Sequence, residues 1–535
     1  MTPSLAYASL TPLLVVFGAA IVGVLVEAFL PARFRYRTQM ALFLGGLAVA
    51  LVAVVALAGT RMTTAEGSVA VDGPALFLQG VTALVAIGAG LLIGERAPAR
   101  VGVGVRAGAG VAEGDAAARR VLAGFAPQAA VAPGGDAERD AERSGVMQTE
   151  VFPLTLFATG GLMLFPAASD LITLFIALEV LSLPLYVLCG TARRRRLLSQ
   201  EAAVKYFLLG AFSSAFFAYG VALVYGYAGT VDFDGIAHAV RTEGGGPLAL
   251  IGVAMLSVGL LFKVGAVPFH TWTPDVYQGA PTSITAFMAA GTKIAAFGAI
   301  LRFFHTAVPG LEADWGPVLW VVSALTMVVG TVVGVVQNDV KRLLAYSSVA
   351  HAGFLLTAVT VGEPAGVPAV LFYLAAYAAS TVGVFAVAGL VRDAEGAEIG
   401  DLRDWSGLGR RQPLIAGAFA VFLLALAGIP LTSGFIAKFA VFSAAVTGGA
   451  PSLVVLGVLT SAIAASFYVR VIVVMFFHDS DRPAAGGGTG GPVVAFARRP
   501  LTLGVIAVAA VVTLALGVMP QPLLDLAGSA AAFAP

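Results

Sequence analysis

Four of the five lysines in this chain, Lys205, Lys263, Lys293 and Lys438, lie inside long apolar runs, and a glutamate, Glu179, lies inside another. A lysine at the centre of a bilayer costs about 2.5 to 3.5 kcal/mol. Four of them cost on the order of 10 kcal/mol unless they face a hydrated, paired interior, so residues kept at such positions point to a function. Arginine fills the loops while lysine fills the apolar runs. The difference has a chemical reason: a lysine in a dry interior can release its proton near neutral pH, whereas arginine stays charged. Glu179 lies nine residues after Asp170, about 13.5 Å along a helix, which is close to the midplane. Lys293 is equally deep from its own end, and Lys438 sits about ten residues before the end of its run, at a helical rise that again places it well inside. Lys263 precedes a break at Pro268, and His270 follows it, bringing an imidazole that titrates near neutrality. This set is suited to carrying protons through a membrane.

Other polar residues read more plainly. Lys205 is only about one turn from the end of its helix and can snorkel to the interface. His270 can serve as a helix cap, and His351 is expected to be a satisfied packing histidine, with a proton relay as the alternative reading. His238, His305 and His478 read as rim residues, and Arg470 as one half of a structural pair.

The elements that must hold these side chains follow from composition. Of 535 residues, 59% are apolar, 64 are glycine and only 11% are charged, against about 25% charged in soluble domains. A soluble fold is excluded, and the mean hydropathy of +0.93 agrees. The net charge of +1 excludes nucleic acid as a partner. The single cysteine, Cys189, excludes disulfides, cysteine-ligated zinc and iron–sulfur clusters within the chain. Gly102, Gly104 and Ala107 match the spacing of a dinucleotide fingerprint, but no strand is predicted before them and no βαβ unit is predicted around them.

Fourteen apolar segments are predicted to cross the membrane, near 10–30, 39–59, 74–94, 148–168, 170–191, 201–228, 248–269, 282–304, 316–337, 342–361, 366–391, 411–447, 451–477 and 501–524. The segment 411–447 contains Gly428-Ile429-Pro430 and reads as one interrupted span. With this count, 23 basic residues fall in one set of alternate loops and only Arg61, Arg241 and Arg302 in the other. The positive-inside rule then puts both termini outside. Spans 4 to 8 and 9 to 13 make two five-helix blocks of opposite orientation, an inverted repeat, with broken spans 7 and 12 at matching places. The expected organisation is an N-terminal three-helix segment (1–94), a hydrophilic, disordered cytoplasmic insert (95–147), the repeats (148–305 and 316–478) and a C-terminal helix and tail (501–535).

Several stretches carry a resemblance. They are Ser169 to Glu179, Ala203-Val204-Lys205-Tyr206-Phe207, the run from Lys263 through Pro268-Phe269-His270-Thr271-Trp272 to Tyr277, Lys341-Arg342-Leu343-Leu344-Ala345-Tyr346, and Gly428 to Phe435. In these the chain resembles the antiporter-like membrane subunits of the proton-pumping NADH:quinone oxidoreductase, respiratory complex I, and among them the subunit N branch. The resemblance implies that Glu179, Lys263, Lys293 and Lys438 form a central proton-transfer axis, joined by Lys205 and His270. It implies a multi-pass protein of a bacterial-type cell (inner) membrane, embedded in the lipid bilayer beside other complex I membrane subunits. It also implies that NADH, FMN, iron–sulfur clusters and quinone are handled by partner subunits, with no cofactor in this chain. In that scheme Glu179 pairs with Lys263 or Lys205. The rival readings are a subunit of a multisubunit cation/proton antiporter and a subunit of a membrane-bound hydrogenase-type complex.

Overall fold

Apolar runs in lipid must satisfy their own backbone hydrogen bonds, which leaves helices or closed barrels. The computed structural model describes residues 6–98, 120–127, 135–136, 140–141, 146–361, 366–393, 397–478, 493–494 and 499–534, and it is all-helical apart from three short two-stranded pairings. In chain order the helices are α1 (Tyr7–Phe29), α2 (Ala32–Ala56), α3 (Gly73–Ile93), α4 (Val151–Leu164), α5 (Leu171–Cys189), α6 (Arg196–Ala228), α7 (Phe233–Glu243), α8 (Pro247–Val264), α9 (Trp272–Gly279), α10 (Thr282–Arg302), α11 (Glu312–Val335), α12 (Val340–Val359), α13 (Gly366–Ala388), α14 (Leu408–Arg411), α15 (Pro413–Ala427), α16 (Ser433–Thr447), α17 (Pro451–Phe477), α18 (Pro500–Val518) and α19 (Gln521–Ser529). Among the described residues, twelve helices are long and apolar enough to cross a membrane. Val151–Ala167, Pro413–Ala427 and Ser433–Thr447 are shorter apolar helices.

Burial sorts the helices into a centre and a rim. α10, α12 and α13 are buried on nearly every side, while α1, α2, α6 and α17 keep apolar side chains such as Val52, Phe212 and Val455 exposed. That outer apolar surface fits lipid.

Two equivalent clasps open α5 and α12. Asp170 caps α5 by accepting from the Ile172 and Thr173 amides, and Asp339 caps α12 by accepting from the Arg342 amide. Beside each cap a short antiparallel bridge forms, Asp170 with Asp232 and Asp339 with Asp401. The backbone bonds repeat as well: Leu171 N to Val231 O and Phe233 N to Ser169 O in the first, Val340 N to Gly400 O and Leu402 N to Asn338 O in the second. All four bonds superpose under a single sequence offset of 169.

Two features differ from the sequence expectation. The insert over 95–147 was expected to be disordered, yet residues 96–98 and 120–122 pair as strands, Ala126 N bonds Thr191 O, and Arg193 N bonds Gly124 O. The cause is local apolarity: Leu122, Phe125 and Ala126 are buried against the helix ends. Most of the insert, with Gly102, Gly104 and Ala107, lies outside the described residues. Lys341, counted among the loop charges, is buried at the start of α12, because residues 397–401 fold back over it.

Candidate functional site

The site is built from two helix breaks. α8 ends at Gly265 and α15 at Gly428, each in the left-handed region, with φ of 73° and 82°. Glycine takes that conformation at no steric cost, and a helix ending there leaves its last carbonyls without amide partners. In both cases a buried lysine from another segment takes them. Lys293 Nζ donates to Val264 O at 2.9 Å. Lys438 Nζ donates to Leu426 O at 3.1 Å, to Ala427 O at 2.8 Å and to Ser461 Oγ at 2.8 Å. Each ammonium therefore sits at the negative end of a broken helix, the end that favours a cation.

Lys263 has a different setting. Its Nζ donates to Ser182 Oγ at 2.7 Å and lies 3.4 Å from Tyr206 OH, over the faces of Tyr206 and Tyr186. Among the described residues, no ion pair joins a carboxylate to Lys263, Lys293 or Lys438. Glu179 is half-buried with Oε1 unbonded. The expected direct pair between Glu179 and Lys263 or Lys205 is thus not formed. Ser182, one helical turn beyond Glu179, takes Lys263 instead. Lys205 is held by Glu201 at 2.7 Å and Asp275 at 2.8 Å, on a partly exposed face of α6. Asp275 also pairs with Arg342 at 2.7 Å, so it ties α6 to α12 through α9.

His270 follows the first break. Its ring centroid is 6.3 Å from that of Tyr346, and its buried Nδ1 has no hydrogen-bond partner. His351 is fully enclosed: Nδ1 is 2.6 Å from Tyr373 OH and Nε2 is 3.4 Å from Tyr468 OH. Tyr468 also bonds Ser347. A side chain expected to pack, with a relay as the alternative, is the centre of a hydroxyl network between the two lysine-capped breaks. Arg470 makes no pair with an acid among the described residues, and donates instead to the carbonyls of Val335 and Gln337 at the end of α11.

At the arginine-rich face, Glu398 accepts from Thr282 Oγ1 at 2.6 Å, from Arg392 at 3.1 Å and from Lys341 at 3.5 Å. Burial alone would raise its carboxyl, but Lys341 and Arg392 beside it, with the Thr282 hydroxyl, hold it down at about 2. At the opposite face, Asp72 and Arg302 form a 2.7 Å buried ion pair, and Ala534 N from the tail closes on Asp72.

Sequence reasoning missed Ser182, Tyr206, Tyr373, Tyr468, Ser461 and Glu398. None of them carried a signal of its own: Glu398 is one of five acids, with Asp393, Glu395, Asp401 and Asp404, that share its loop with four arginines. The aromatic and hydroxyl partners read as ordinary helix residues until the helices are packed.

Residues 168–464, more than half of the chain, match the family described as NADH:quinone oxidoreductase/Mrp antiporter, TM. A relative from Rhodococcus opacus, named NADH-quinone oxidoreductase subunit N, is 60% identical over 99% of this chain and 97% of its own length. The chain belongs to that subunit N family. A relative of the same name from Mycobacterium tuberculosis is 56% identical over 99% of this chain and 98% of its own. Among solved structures, a chain of respiratory complex I from Thermus thermophilus with bound aureothin is similar at a TM-score of 0.74 and 32% identity, covering 97% of this chain and 99% of that one. A chain of the Mrp complex from Dietzia shares the fold, with a TM-score of 0.77 at 24% identity, covering 98% of this chain and 97% of its own.

Proposed function

We propose that this chain is a proton-translocating membrane subunit of an NADH:quinone oxidoreductase, with the redox chemistry carried by partner subunits. Family membership supports the assignment, and the observation that carries the mechanism is the pair of breaks at Gly265 and Gly428, each with a buried lysine on its terminal carbonyls. Protons pass along Lys263, Lys293 and Lys438, with Glu179, Lys205 and His270 serving the entry side and His351 lying between the last two lysines. An ammonium held only by carbonyls, hydroxyls and ring faces is sensitive to small changes in those partners. A hundredfold change in its proton affinity is worth about 2.7 kcal/mol, against about 2.3 kcal/mol to move one charge through 100 mV. The magnitudes are commensurate.

The transmembrane arrangement belongs to this proposal. The twelve long helices, Val151–Ala167, and α15 with α16 taken as one broken crossing make fourteen. The clasps at Asp170 and Asp339 support two inverted blocks, 148–305 and 316–478, flanked by 1–94, the insert 95–147 and 501–535. The arginine-rich loops support a cytoplasmic placement of that face, with both termini outside. Purification of the chain in mild detergent tests the assignment: NADH:quinone reductase activity should accompany it. An assembly without redox subunits that exchanges sodium for protons would replace this reading by the antiporter one.

A further inference from the structure

We infer that protons reach the middle of the lysine axis from the arginine-rich face along α12, through a column of buried hydroxyls that starts at the Glu398–Lys341–Thr282 cluster and ends at His351. The inference rests on the function proposed above, and it assigns a path to residues that the lysine axis leaves unused.

The column begins at two small clefts, of about 20 and 30 Å3, both lined by Arg392 and Glu398. Each has room for a water or two. Lys341 Nζ, just inside, donates to Ala280 O at 2.8 Å and to Thr282 Oγ1 at 3.1 Å. One turn further along α10, Thr285 is fully buried and shares its proton between Tyr277 O at 3.2 Å and Pro281 O, four residues earlier, at 3.3 Å. Ser348 follows Lys341 by seven residues on α12, which places it about 10.5 Å deeper and about 20° off the same face. Its Oγ accepts from Tyr377 OH at 2.9 Å and lies 3.4 Å from Tyr277 OH. The Tyr377 ring is 5.1 Å from that of His351. His351 packs edge-on against Phe354, whose face carries Lys438 Nζ at 4.9 Å.

The orientation of the serines is the telling detail. Thr292, Thr331 and Ser380 each donate back to the carbonyl four residues earlier in their own helix, the usual resting place of a buried helical hydroxyl. Ser347 and Ser348 are bonded to tyrosines of other helices instead. Ser347 meets His351 through Tyr468, and Ser348 meets it through the ring of Tyr377, so both hydroxyls couple α12 to the helices around the imidazole.

The transfer balances at each step. A proton added to a hydroxyl oxygen on the cluster side is matched by loss of that group's own proton toward His351, with admitted water spanning the two stretches that no direct hydrogen bond closes, from Lys341 to Ser348 and from Tyr377 to His351. Nothing is oxidised, and rotation of the hydroxyls resets the column.

The test uses membrane vesicles containing the whole complex and compares proton translocation with NADH oxidation. In a Ser348→Ala/Tyr377→Phe double variant, translocation per NADH should fall about tenfold, while oxidation in the presence of a protonophore stays within about twofold. A control, Ser323→Ala/Thr357→Val, removes another buried hydroxyl pair that touches α12, bonded at 3.1 Å but off the column, and should translocate normally. Normal translocation by the first variant, or an equal loss in both, overturns the inference. Lys293→Ala is measured in parallel. If it pumps normally the lysine axis itself is wrong; if it does not pump while the Ser348/Tyr377 variant does, only the inlet is wrong. If the double variant does not assemble, the two single variants carry the same comparison.

Discussion

Gly428→Ala isolates the contact between a helix break and its lysine. At φ of 82° an alanine pays about 1 to 2 kcal/mol of backbone strain. Its methyl would also lie 2.9 Å from Lys438 Cδ and 3.2 Å from Nζ, so the side chain must move. The displaced ammonium loses its bonds to Leu426 O and Ala427 O. Hydrogen bonds to a charged group contribute about 1.5 to 3 kcal/mol each, so the loss is at least about 3 kcal/mol, roughly a hundredfold in occupancy of that position. Gly449 supplies the control, because its φ is 83° yet nothing lies within 4 Å of an added methyl. Both variants should lose similar thermal stability from the backbone. In vesicles energised with NADH, only Gly428→Ala should lower proton translocation per NADH oxidised, by about tenfold or more. Equal translocation by the two variants would refute the reasoning that the break positions Lys438.

Asp72→Asn leaves Arg302 buried without its counter-charge, a loss of about 3 to 5 kcal/mol, and should reduce the yield of assembled complex and its melting temperature in detergent. Ser182→Ala removes the 2.7 Å acceptor of Lys263 and should slow translocation severalfold while leaving assembly intact, as read by quenching of a pH-sensitive dye. For Glu398 the sign follows from its depressed carboxyl: the stabilisation is fully present above about pH 4.5 and is lost as pH falls toward about 2. It amounts to about 3 kcal/mol, so Glu398→Gln should flatten the acid side of a stability-versus-pH curve, measured by thermal unfolding in detergent.

The charged residues of the site were legible because a membrane makes them conspicuous. Lys263, Lys293 and Lys438 interrupt apolar runs, and Gly428 with Pro430 announces a break. What could not be read was which groups meet them. Lys293 reaches Val264 across 29 residues and Lys263 reaches Ser182 across 81, contacts set by helix packing rather than by any local pattern. The expected Glu179 pair failed for the same reason: helical depth located both groups, but rotation about the helix axes decided that Ser182 faces Lys263. His351 was underrated because its meaning lies in Tyr373 and Tyr468, which belong to α13 and α17. Lys341 was misplaced because a hydropathy reading counts a lysine at a helix start as a loop charge, and only the fold shows Glu398 closing over it.

The measurement that tests the central claim most directly is proton translocation against NADH oxidation in vesicles carrying Lys263→Ala. The account predicts an assembled complex that oxidises NADH when an uncoupler is present but translocates protons poorly or not at all. Translocation equal to that of the unsubstituted complex would contradict it.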